Sequence, residues 1–175
     1  MEHTVYFAMG FPGSGKTSFF KQYLITKYGE EDIQYLCRDK EVMSLAKTIG
    51  KNRARVQIHK MVSNIFTNFH TSEKQVLYYD SVNFSFEGRK FFYELLDPNV
   101  KLVIVNFEPA RLITEGKFGK YVDWLYSVRT KHECFPVDRE RAIETIDNIN
   151  SNFDSLTEYE IEKYEIIKLP AFCDL

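Results

Sequence analysis

Long apolar runs are missing from this chain. Its longest are strand-length, such as Leu102 to Val105, far short of the roughly 20 residues that cross a bilayer. No membrane partner is therefore expected. Cysteine is scarce too. Cys37, Cys134 and Cys173 are odd in number and scattered, with neither the spacing of a metal site nor a disulfide framework. The opening Met-Glu-His-Thr lacks the basic n-region and long h-region of a signal peptide. These absences make a reducing cytoplasm the expected location. Internal repeats and low-complexity tracts are absent, which excludes a solenoid or a disordered linker. The histidines, His3, His59, His70 and His132, show no pairing suited to nucleophilic or metal chemistry and read as structural or surface residues.

What is present reads as one folded domain over residues 1–175. Apolar residues make up 44% of the chain, enough for a core of its own. Short β-rich runs at Thr4–Met9, Asp32–Leu36, Gln75–Tyr79, Lys101–Asn106 and Tyr164–Leu169 alternate with helical patterns. Helices are expected over Lys16–Tyr28, Glu41–Thr48, Arg53–His70, from Ser85 to Leu96, Tyr121–Thr130 and Asp138–Ile149. Within Arg53–His70 the apolar stripe is Ile58, Met61, Val62, Ile65, Phe66 and Phe69. Arg111 to Lys120 reads as less regular. Strands alternating with helices predict an α/β fold: a five-strand parallel sheet with helices on both faces, the first strand central and the third beside it. Ligands of such sheets bind beyond the carboxyl ends of the strands.

At that edge, Gly10-Phe11-Pro12-Gly13-Ser14-Gly15-Lys16-Thr17 matches the G-x-x-x-x-G-K-[ST] phosphate loop, directly after a strand and opening a helix. Glycines let the backbone N–H groups of Gly10, Gly13, Ser14 and Gly15 turn toward phosphate oxygens. The helix adds its positive end. Lys16 is suited to the β/γ-phosphates and the Thr17 hydroxyl to Mg²⁺, so ATP and Mg²⁺ are the expected cofactors.

Two carboxylates end neighbouring strands: Asp39 after the second and Asp80 after the third. In a parallel sheet both join the P-loop edge. Phosphoryl transfer needs one group to accept the acceptor's proton and others to hold the metal. The bland alternative for either is a helix cap or turn former. Charge is segregated: Arg38 to Lys60 holds seven Lys/Arg against two Asp/Glu, and Asp138 to Glu165 holds three against nine. Such blocks are solvated helix faces or, for the basic one, the lining of a site for an anionic acceptor. The 11 Tyr and 15 Phe mostly follow strand or helix periodicity, which points to core packing rather than base stacking.

The residues resemble the polynucleotide 5′-hydroxyl kinases of bacteriophage type. The likeness rests on the P-loop with Met9 before it, on Leu36-Cys37-Arg38-Asp39-Lys40, and on Asp80-Ser81-Val82-Asn83-Phe84 with Arg89 further on. Val128-Arg129-Thr130-Lys131 before Pro136-Val137-Asp138 is similar to the family's arginine-bearing lid, and Phe153-Asp154 through Glu160 to its ending. The resemblance implies a P-loop kinase-like three-layer sandwich with a helical lid near residues 111–137. It makes Lys16, Asp39 and Arg129 catalytic: Asp39 as general base toward a nucleic-acid 5′-hydroxyl, Arg129 reaching over the transferring phosphoryl group. Arg38 would contact the acceptor, and Asp80 would help shape the acceptor and metal site. The sequence departs from the family in having Lys40 for a second Asp, Val42 for an arginine, and no Asp-x-Asp-x-Thr phosphatase element. The expected function is thus 5′-phosphorylation of a polynucleotide, with a small acceptor (a nucleotide, a sugar or an amino-sugar nucleotide) as the alternative. An interaction subunit with a degenerate acceptor site is a third reading, which Arg38-Asp39 argues against.

Overall fold

The computed structural model describes residues 2–128, 135, 136, 138–171 and 174. Five strands, β1 (Thr4–Met9), β2 (Ile33–Cys37), β3 (Val76–Asp80), β4 (Lys101–Phe107) and β5 (Glu165–Leu169), form one sheet in the order β2-β3-β1-β4-β5. All pairings are parallel. The first strand is central with the third beside it, as the sequence predicts.

Strand residues alternate between two cores. Val5, Phe7, Met9, Leu77, Tyr79, Leu102 and Ile104 face one. Tyr6, Ala8, Val76, Tyr78, Val103 and Val105 face the other. Both faces are apolar, which is why the strands read as continuous hydrophobic runs. On the second face lie α1 (Lys16–Phe19), a π-helical turn (Phe20–Leu24) and α2 (Ile25–Tyr28). Here Phe20 stacks on Tyr35, ring centroids 4.4 Å apart. On the first face lie α3 (Arg38–Ile49), α4 (Lys51–Asn68) and α5 (Phe86–Leu95).

The long amphipathic helix buries Ala54, Ile58, Val62 and Phe66, but Met61, expected in its stripe, is 36% exposed. The buried positions repeat every four residues and leave Met61 at the rim. α3 starts at Arg38, earlier than Glu41, because β2 runs straight into the helix with Cys37 as N-cap. The stretch expected to be irregular carries α6 (Arg111–Thr114), a turn at Gly116 with φ +69°, and the start of α7 (Phe118–Val128). α7 and α8 (Arg139–Ser151) enclose a third core with Phe11 of the P-loop. Asp138 caps α8, accepting from the Arg141 N–H at 2.9 Å.

A last helix, α9 (Glu158–Lys163), was not expected, although Thr157-x-x-Glu160 is a capping-box signature and forms one. Glu160 also pairs with Arg89 deep in the molecule, Nε–Oε1 2.7 Å, with both side chains fully buried. The guanidinium donates further to the carbonyls of Asn83, Phe84, Asp154 and Ser155. Burial pushes the Glu160 carboxyl up, but the hydrogen bonds from Arg89, the Thr157 N–H and Tyr93, together with the Arg89 charge, outweigh it and hold the carboxyl below its ordinary value. Removing one partner leaves a buried charge alone. Glu160→Ala is expected to cost about 3–5 kcal/mol in urea-unfolding free energy, and a loss within 1 kcal/mol would show that the pair holds little together.

Candidate active site

The P-loop is built from backbone that side chains would obstruct. Gly13 has φ +89°, and a Cβ there would lie 2.6 Å from Leu125 Cδ1. At Gly10 a Cβ would meet Phe107 Cβ at 2.7 Å. α7 braces the loop from outside: the Tyr121 hydroxyl donates to the Pro12 carbonyl at 2.6 Å. Phe11 anchors it inward, packed on Phe153 with centroids 5.1 Å apart. Lys16 Nζ donates to the carbonyls of Gly10 and Phe11, both at 2.9 Å, so the ammonium lies along the loop that the motif builds for phosphate.

Sheet register brings Asp80 to the same place. Asp80 pairs with Ala8 on β1 and with Cys37 on β2. Its Oδ2 accepts from the Thr17 hydroxyl at 3.4 Å and from the Tyr35 hydroxyl at 2.9 Å. Burial, and then the Asp80 charge, push the Tyr35 phenol up, so it remains a proton donor to that carboxylate. The Cys37 thiol is pushed up by burial and then by the same charge. Beside Tyr35, Tyr78 stacks at 5.9 Å and donates to the Lys16 carbonyl at 2.8 Å. Two strand tyrosines thus hold the carboxylate and the first turn of α1. Neither was foreseen from the sequence; only the pairing of β2 with β3 puts Tyr35 at Asp80.

Asp39 lies in the first turn of α3 and is exposed. Among the described residues no hydrogen bond or ion pair engages its carboxylate, so it is not the cap of its helix; Cys37 holds that position. It borders two spaces at once. One is the small cleft over the P-loop, shared with Lys16, Thr17 and Asp80. The other is a cavity of about 710 Å³ between α3, α4, α5 and α8. Arg38, Lys51 and Arg55 of the basic stretch line this cavity, whereas Arg53 and Lys60 border a separate surface groove on α4. His59, read from sequence as a structural or surface residue, is on the cavity wall as well. Asn83, at φ +49°, donates from Nδ2 to the Ala8 carbonyl at 2.6 Å and holds the loop after Asp80 against β1. Arg129 lies outside the described residues, as do Lys131, His132 and Val137.

No family model matches the sequence, and no curated protein matches it. Solved structures do. A putative kinase from Chloroflexus aurantiacus has TM-score 0.59 at 13% identity, covering 99% of this chain and 91% of that one. The chain has the fold of the P-loop kinases. Chaetomium thermophilum Kti12 in complex with ADP-AlF3 gives 0.59 at 13% identity, covering 98% and 90%. A gluconokinase from Sinorhizobium meliloti gives 0.56 at 11% identity, covering 98% and 83%. Among the described residues no helix is long and apolar enough to cross a membrane, and no cluster of three or more His, Cys, Asp or Glu is placed to hold a metal by itself. A P-loop needs no such cluster, because phosphate oxygens and water complete the coordination of Mg²⁺.

Tyr35 tests whether the Asp80 end of the site serves a metal. Outer-shell partners of metal-binding groups are typically worth 10–100-fold in metal affinity. Tyr35→Phe is expected to raise the Mg²⁺ concentration for half-maximal ATP-dependent activity about tenfold. An unchanged Mg²⁺ dependence would mean that Asp80 does not serve the metal.

Proposed function

We propose that this protein is an ATP-dependent phosphotransferase that passes the γ-phosphoryl group to a hydroxyl of a small acceptor bound in the cavity between α3, α4, α5 and α8. The observation that carries this reading is the position of Asp39, a carboxylate with no hydrogen-bond or ion-pair partner among the described residues, on the border shared by the P-loop cleft and that cavity. A general base for transfer must touch both spaces, because the hydroxyl lies in one and the phosphorus in the other. The cavity volume, about 710 Å³, matches sites for single small molecules. One of the similar folds, the gluconokinase, also has a small acceptor in its name.

The chemistry follows from the residues. The loop N–H groups and Lys16 carry the charge of the β- and γ-phosphates. When Mg²⁺ is bound it neutralises charge on the phosphates; Thr17 would hold it directly and Asp80 through water. Asp39 accepts the acceptor's proton as the new P–O bond forms and the bond to ADP breaks. The resemblance adds Arg129, directly after α7 in sequence, as a lid residue that reaches the transferring group. A second reading, transfer to a polynucleotide 5′-hydroxyl, is favoured by Arg38, Lys51 and Arg55, none of which has an ion-pair partner among the described residues.

Lys16→Ala is expected to abolish transfer and leave thermal unfolding without nucleotide nearly unchanged, because the ammonium faces the loop and not the core. Trp124, the only tryptophan, lies beside Gly13 and provides a fluorescence signal for ATP binding in the same protein. Activity in this variant would remove the P-loop from the mechanism. Asp39→Asn keeps shape but cannot take the proton. Single-turnover transfer at saturating ATP and Mg²⁺ is expected to fall by about 10²–10⁴, and a near wild-type rate would leave Asp39 a helix-turn residue and shift the base to Asp80.

A further inference from the structure

Five described residues line both the cleft over the P-loop and the cavity between α3, α4, α5 and α8: Pro12, Asp39, Ser81, Val82 and Phe135. The border between the two spaces has a composition of its own. Asp39 is its charged member. Ser81 is buried beside the Tyr79 hydroxyl. The other three are apolar, and Phe135 is only 7% exposed. Each of the three is held through a backbone carbonyl at or next to it. The Tyr121 hydroxyl donates to the Pro12 carbonyl at 2.6 Å. The Gly10 N–H donates to the Val82 carbonyl at 3.1 Å. Next to Phe135, the Pro136 carbonyl accepts from the Tyr126 hydroxyl at 2.7 Å, and the Tyr126 ring meets Phe135 edge-on, centroids 6.3 Å apart. Two tyrosines of α7 and the P-loop backbone thus fix an apolar collar beside one carboxylate.

Water competes with the acceptor of any phosphotransferase, because it offers the same O–H group. The cleft over the P-loop measures about 90 Å³, large enough to admit it. Attack by water would form a P–O bond, break the bond to ADP and release inorganic phosphate, with the proton passing to the same Asp39 carboxylate. A water molecule needs about 2–4 polar partners to be held in place. The side chains of Pro12, Val82 and Phe135 supply none. An acceptor is held by the rest of its own structure in the cavity, and at the border it needs Asp39 alone.

We propose that Pro12, Val82 and Phe135 make the protein selective for an acceptor hydroxyl over water, by denying water a second partner beside Asp39. This rests on the reading of Asp39 as the base and of the cavity as the acceptor site. Val82 and Phe135 are then specificity-determining residues, and the tyrosines that hold the collar, Tyr121 and Tyr126, are positioning residues.

The test measures release of inorganic phosphate from ATP and Mg²⁺ by the whole chain with no acceptor present, with ATP binding followed by Trp124 fluorescence. Wild type is expected to hydrolyse ATP slowly. Val82→Thr keeps the shape of the side chain and adds a hydroxyl; Phe135→Ala opens room for water. Each is expected to raise kcat for hydrolysis about tenfold, the lower end of what one group in an apolar pocket discriminates, with ATP affinity unchanged. Phe135→Leu keeps an apolar wall and should stay near wild type. Adding Asp39→Asn to Val82→Thr should remove the gain. Loss of folding lowers hydrolysis and cannot imitate a rise, and if Phe135→Ala no longer binds ATP, Val82→Thr decides the outcome. Unchanged hydrolysis in Val82→Thr with ATP still bound would overturn the collar, as would a wild type that hydrolyses ATP as fast as the variants. Transfer by wild type to glucose, adenosine and an oligonucleotide with a free 5′-hydroxyl is measured alongside. Faster hydrolysis in the variants supports the collar even where none of these is phosphorylated, an outcome that counts against the kinase reading alone. Transfer by wild type with unchanged hydrolysis in the variants counts against the collar alone.

Discussion

A buried guanidinium ties together the side of the molecule proposed to hold the acceptor. Arg89 reaches from α5 to Glu160 on α9 and to four backbone carbonyls, two in the loop after Asp80 and two in the turn before α9. Tyr93 donates to the same carboxylate at 2.9 Å. Net stability from a buried pair is small, because desolvation opposes the attraction. Its effect is geometric: every carbonyl it satisfies is fixed in place. Asn83 and Phe84, held this way, form one wall of the cavity, so the shape of the proposed acceptor site depends on an ion pair that does not line it.

The phosphate side depends on register instead. Parallel pairing of β2, β3 and β1 places Cys37, Asp80 and Ala8 in one row. The chain leaves that row as the P-loop, as α3 with Asp39, and as the loop with Asn83. Phe20, Tyr35 and Tyr78 stack on one another beneath this edge, and the two tyrosines donate hydrogen bonds to Asp80 and to the Lys16 carbonyl. The phosphate loop, the carboxylate proposed for the metal and the carboxylate proposed as general base are thus three exits from a single sheet edge. This is why an α/β sheet suits reactions that join two ligands.

Local signals made most of this legible. The strand runs, the G-x-x-x-x-G-K-T turn, the Ser85 cap and the acidic residues ending β2 and β3 are short-range patterns, and each stands where they put it. Boundaries were less legible. The helix of Asp39 starts at Arg38, because no turn residue separates it from β2, and α9 went unseen despite its capping box. Long-range partnerships were not legible at all. Tyr35 meets Asp80 only through strand pairing, and Arg89 meets Glu160 across 71 residues. His59 read as a structural or surface residue because it has no partner in the sequence, and only the packing of α4 on α5 places it with Phe91 on a cavity wall. The acceptor also lay beyond the sequence, since cations in a basic stretch do not reveal which of them share a wall until α3 and α4 pack.

The central claim is that the cavity beside Asp39 holds the acceptor hydroxyl for in-line attack on the γ-phosphate. It is tested most directly by the structure of the protein with Mg²⁺, a non-transferable ATP analogue and an acceptor that the transfer assay has identified. The account predicts the acceptor hydroxyl within about 2.6–3.2 Å of an Asp39 carboxylate oxygen, on the cavity side of the γ-phosphate. An acceptor bound outside that cavity, or a hydroxyl approached by another base with Asp39 turned to solvent, would contradict it.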